Sequence, residues 1–201
     1  MSLQMTLQAA SDDKINEFSR DSAALNRFVA LSGGAASGAN AAVMQNILSN
    51  VASNNPRLNM IVDVLGLKKK FEQRGLSLDL EGGYQGLHYL FTGSPEHGAE
   101  PFCYLMHGGK TIGLFEQEFE VRAINCRQLA AFEQAIEPID KQELMRRYNG
   151  KAMIEAGIYP SGLWAHPGND GREYLCQKLV DLKEFLRQAK ALNEGMVMCV
   201  R

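Results

Sequence analysis

"REYLCQKLVDLKEFLRQAKALNEGMVMCV", residues 172–200, holds two periodicities in one stretch. Leu175, Leu179, Leu182, Leu186 and Ala189 recur at three- and four-residue intervals, which lines them along one side of a helix of about six turns. Lys178, Asp181, Lys183, Glu184, Arg187 and Lys190 take the opposite side. Met196–Val200 is then apolar at every position, as a central strand covered on both faces would be. A long amphipathic helix running into such a strand predicts an α+β fold, a small mixed or antiparallel sheet covered by five to seven helices.

The remaining elements are placed around that frame. Met5, Leu7 and Ala9 alternate with polar neighbours and predict a first strand. Ser11 and Asp12 can cap a helix containing Ile15, Phe18, Leu25 and Phe28. Phe119, Val121 and Ala123 alternate with Glu118, Glu120 and Arg122, a strand with one wet face. Asn125 followed by Gln128 is a capping box for a helix whose buried stripe is Leu129, Phe132 and Ile136. Asp140 and Glu143 repeat that arrangement. The glycines of Gly33–Asn40 predict a mobile loop, followed by helices at about 41–52 and 58–74. Phe102–Met106 suits a short helix or a strand. No linker requires a division, so a single domain over residues 1–201 is expected.

Composition excludes several classes. The formal charge is −2, and Lys68–Lys70 is the longest basic run. A nucleic-acid or acidic-membrane partner would call for a broader basic stripe, so neither is expected. The apolar runs are far shorter than the ~20 residues that span a bilayer. Cys103, Cys126, Cys176 and Cys199 are scattered, without C-x-x-C spacing and without a leader segment. Four free thiols in a reducing cytoplasm follow.

No complete catalytic motif is present. Gly33-x-x-x-x-Gly38 has phosphate-loop spacing, but Ala39 and Asn40 stand where the lysine and hydroxyl belong. His107-Gly108-Gly109 has no serine elbow to serve. His88, His97, His107 and His166 show no metal-ligand spacing, so neither a metal nor another cofactor is expected. Cys176 and Cys199 fall in apolar settings that suit small core residues better than reactive thiols.

"YQGLHYLFTG", residues 84–93, is the most suggestive segment. Tyr84, Leu87, His88 and Phe91 share one helical face, and Gly93 is placed to end the helix in the left-handed conformation. His88 is therefore read first as a buried structural residue. Its alternative role is as a ligand contact or general base in a pocket with Tyr84 and Thr92. In "GIYPSGLWAHPGNDG", residues 157–171, Tyr159, Trp164 and His166 are candidate partner-binding residues on a turn-rich loop. Trp164 can equally plug the core.

The segment aromatic-x-x-Leu-His-x-x-apolar-Thr-Gly, formed by Tyr84, Leu87, His88, Phe91, Thr92 and Gly93, resembles the YfbM-like proteins of bacteria. The later Ile158-Tyr159-Pro160 and the final helix and strand extend the likeness from about residue 76 onward. Tyr84 stands where that family commonly has tryptophan. The resemblance implies a small cytoplasmic α+β protein without an established activity, and it transfers no catalytic residue.

Two functions are consistent with these features. One is a non-catalytic module that recognises a protein partner, for instance of the immunity or antitoxin type. The other is a small-molecule-binding protein or hydrolase with its pocket at Tyr84, His88 and Thr92. Oligomeric state is left open.

Overall fold

The computed structural model describes residues 3–32, 75–166, 168 and 170–201. The expected Gly33–Asn40 loop and the helices at 41–52 and 58–74 lie outside the described residues. Chain order runs β1 (Met5–Ala10), α1 (Asp12–Phe18), α2 (Ser22–Ser32), β2 (Ser77–Glu81), α3 (Gly83–Thr92), β3 (Lys110–Phe115) and β4 (Phe119–Ile124). It continues with α4 (Cys126–Ile136), α5 (Lys141–Arg147), α6 (Gly150–Glu155), α7 (Ser161–Trp164), α8 (Asp170–Ala191) and β5 (Gly195–Val200).

Among the described residues the sheet has five strands in the order β2-β1-β5-β4-β3, every neighbouring pair antiparallel. The apolar strand Met196–Val200 is its centre, as its sequence predicts. Its side chains divide by parity. Met196 and Met198 enter a core shared with α3, α4 and α8, whereas Val197 and Cys199 enter a second core under α1 and α2. β1 follows the same rule, and even Thr6 and Gln8 are buried. Gln8 meets the cost of burial by donating its side-chain N–H to the Phe28 carbonyl at 3.0 Å.

Several expectations are corrected. β2 and β3 are additional strands, and eight helices occur among the described residues rather than five to seven. The proposed helix through Ile15 and Phe28 is two helices. Ser11 caps the first, and Asp21 starts the second by accepting from the Ala23 and Ala24 amides. Phe102–Met106 is neither helix nor strand but a run of turns. Asp140 caps α5 alone, because Glu143 turns away from it to Arg146 and Arg147. The capping box at Asn125 and Gln128 is complete.

Lys178 is the sharpest departure. Assigned by pattern to the wet side of α8, it is buried, with Nζ 3.2 Å from Glu81 and from the Asp79 carbonyl oxygen and above the Tyr174 ring. The stem runs across Gly83, where a Cβ would lie 3.1 Å from Lys178 Cγ. A long charged side chain can cover apolar surface if its head finds partners, and here the end of β2 supplies them.

The β5 entry is equally tight. A Cβ on Gly195 would overlap the Ile124 carbonyl oxygen and stand 2.9 Å from Ile15 Cδ1. A backbone neighbour cannot rotate away, so Gly195→Ala is expected to destabilise the protein by about 3 kcal/mol in urea unfolding. A loss below about 1 kcal/mol would contradict this packing.

Candidate functional site

α3 positions the residues singled out by sequence. Its N-cap is Gly82, and Gly93 ends it at φ 73° with its N–H on the Tyr89 carbonyl. Within it Tyr84, Leu87, His88 and Phe91 are all buried, on the face toward the larger core. Gly86 allows the close approach of α8, since a Cβ there would lie 2.8 Å from Leu175 Cδ2.

His88 has no exposed surface, and neither Nδ1 nor Nε2 has a hydrogen-bond partner. Burial pushes the imidazole down to about 4. The neighbouring His107 acts in the same direction, the main chain at His97 opposes it, and Arg122 adds a further downward push. The His97 main chain nevertheless stops short of hydrogen-bonding geometry. The His107 ring meets His88 edge-on at 6.0 Å between centroids, and His97 stacks on His107 at 6.5 Å. Three histidines dispersed along the sequence thus gather at one place. They do not form a metal centre, because no group of three His, Cys, Asp or Glu side chains among the described residues has an arrangement able to hold an ion.

The other two pocket candidates behave differently. Tyr84 is buried, with its hydroxyl accepting from Gln85 Nε2 at 3.2 Å, and burial raises its pKa. Thr92 is half-buried. Its Oγ1 lies 2.9 Å from the His88 carbonyl and 3.0 Å from the Ser94 carbonyl, either of which can take its single hydrogen, and it accepts from the Ser94 amide, so it finishes the helix. The three residues lie on one helix, but Tyr84 and His88 turn inward.

The loop candidates separate as well. Trp164 is buried, its Nε1 donating to the Ile158 carbonyl at 2.8 Å, so it plugs the core and offers no face to a partner. Tyr159 is half-buried, its amide held by Gln85 Oε1 at 2.9 Å. His166 is exposed, 3.9 Å from Asp170.

Sequence reasoning missed Arg122. Expected on a wet face, it passes beneath the segment 94–109 and donates to the Leu105 and Gly108 carbonyls at 3.2 and 3.1 Å. No spacing signal links positions 105, 108 and 122; only the sheet brings them together. Burial also raises the thiols of Cys103, Cys176 and Cys199. Cys126 is raised chiefly by its hydrogen bond to Asp12. A nucleophilic cysteine needs a shift of the opposite sign.

These features define an α+β protein built on one antiparallel sheet, whose marked histidine is sealed inside. The chain belongs to the DUF1877 family, a domain of unknown function whose model matches residues 1–199. A solved structure titled as a protein of unknown function, YfbM from Escherichia coli, has a similar fold. It is 15% identical, with a TM-score of 0.55 over 98% of this chain and 99% of that one. No curated protein matches. The YfbM-like resemblance and the α+β class expected from the sequence therefore hold, and the function of the family is unknown. Among the described residues, no helix is long and apolar enough to cross a membrane.

The depressed His88 pKa fixes a sign. Its folded value is about 4 against an ordinary 6.5, so the neutral ring's contribution is complete above pH 6.5 and is lost as pH falls through 4. The full loss is about 3 kcal/mol. Urea unfolding between pH 7.5 and 4 is expected to show this decline, and His88→Phe is expected to abolish it without destabilising the protein at pH 7.5. An unchanged decline in His88→Phe would refute the assignment.

Proposed function

We propose that this protein is a non-catalytic module that binds another protein. The observation carrying the proposal is the sealing of His88, which leaves the best general-base candidate out of reach of any substrate. The upward shifts of the four thiols point the same way, since none is prepared as a nucleophile. With Trp164 turned into the core, the partner-binding candidates are Tyr159 and His166, beside the exposed start of α7 at Ser161 and Gly162. An immunity or antitoxin role is the particular form proposed, a stoichiometric complex with a toxin protein.

A small-molecule site at Tyr84, His88 and Thr92 is the second reading. It is favoured by one observation, the two ring nitrogens without partners. Such a site requires the covering segment to move.

Gly162 has open space around it, so Gly162→Arg adds bulk at the surface without disturbing the core. In quantitative affinity purification, Gly162→Arg and His166→Glu are expected to lose at least about 90% of a stoichiometric protein partner while melting as the parent does. His88→Phe is expected to retain it. Partner recovery unaffected by either surface change, or a turnover abolished by His88→Phe in a protein that melts normally, would overturn the proposal.

A further inference from the structure

The segment 94–109 covers His88 and is tied down at its two ends by polar contacts. At one end Thr92 Oγ1 bonds the Ser94 main chain. At the other, Arg122 holds Leu105 and Gly108 by their carbonyl oxygens. Between them the Met106 and His107 amides donate back to the Cys103 carbonyl at 3.0 and 2.7 Å. The segment brings the His107 ring edge-on against His88, with His97 stacked outside it. Tyr104 and Leu105 enter the core, whereas His97 and His107 are exposed.

We propose that the 94–109 segment is an acid-released flap: a proton added to His88 drives local opening that hydrates the ring while the sheet stays folded. The groups around the ring explain why. From β4 comes Arg122, already cationic, and from the flap come the His107 ring and the His97 main chain. Glu100 is engaged by the Tyr104 hydroxyl at 2.9 Å, and Glu120 faces Arg122. No carboxylate among the described residues bonds the His88 ring. A buried cation with only the His97 main chain to favour it raises the energy of the closed state. Opening of the flap, which breaks its part-buried hydrogen bonds and lifts Tyr104 and Leu105 out of the core, therefore becomes more frequent on protonation, while the sheet's own hydrogen bonds are left intact.

Amide hydrogen exchange at pH 7.5 and pH 5, corrected for intrinsic rates, tests it. With ring values near 4 closed and 6.5 open, opening at the Met106 and His107 amides should increase about thirtyfold at the lower pH. Amides of Leu182–Leu186 in α8 and Val197–Cys199 in β5 should not follow. The response should vanish in His88→Phe, or in His88→Met if the phenyl ring does not fit, and persist in His107→Ala. A uniform rise across the protein, no rise, or a rise that survives replacement of His88 would overturn the flap.

Discussion

The fold depends on a strand that must be kept dry on both sides. β5 pairs with β1 and β4 through its main chain and sends Met196 and Met198 one way, Val197 and Cys199 the other. Neither set can face water without exposing a row of large apolar side chains, each worth about 1.5–3 kcal/mol on burial. One face is closed by α1 and α2. The other is closed by α3, α4 and α8, with the 94–109 segment beside them. The position of His88 follows: it sits on a helix whose inward face is required for that second layer.

Dry layers make polar groups conspicuous, because each must find a partner inside the protein. Gln8 finds the Phe28 carbonyl, Trp164 the Ile158 carbonyl, and Lys178 finds Glu81, Asp79 and the face of Tyr174. Arg122 finds two loop carbonyls. A net hydrogen bond contributes about 1 kcal/mol, while a buried group left unpaired costs about 1–3 kcal/mol. Among the described residues His88 is the exception to the pattern, and its consequence is electrostatic. Without a partner the neutral ring is the tolerable form, and the protein is linked to pH through it.

Much of the frame was legible because it is written in local periods. The Leu175-to-Ala189 stripe, the apolar Met196–Val200, the Asn125–Gln128 box and the Tyr84-to-Phe91 face all follow from spacing within a few residues. β2 and β3 were not legible. "SLDLE" is short and lies between glycines, and Gly113 interrupts "KTIGLF" where the register shifts against β4. Lys178 is not legible because its charge points to solvent, whereas its partners lie about a hundred residues earlier in the chain. The same limit applies to the site. The burial of His88 was written in its helical neighbours, but His97, His107 and Arg122 reach it only through tertiary folding, and whether Trp164 pointed in or out depended on one carbonyl at Ile158.

The His88 imidazole is held neutral and unpaired inside a dry layer. Nitrogen-15 NMR of the ring, followed as the pH is lowered, measures this directly. A neutral ring that titrates only near pH 4 is the predicted result. A midpoint at or above the ordinary 6.5 would show that the ring is hydrated or paired with an acceptor, and would contradict the account.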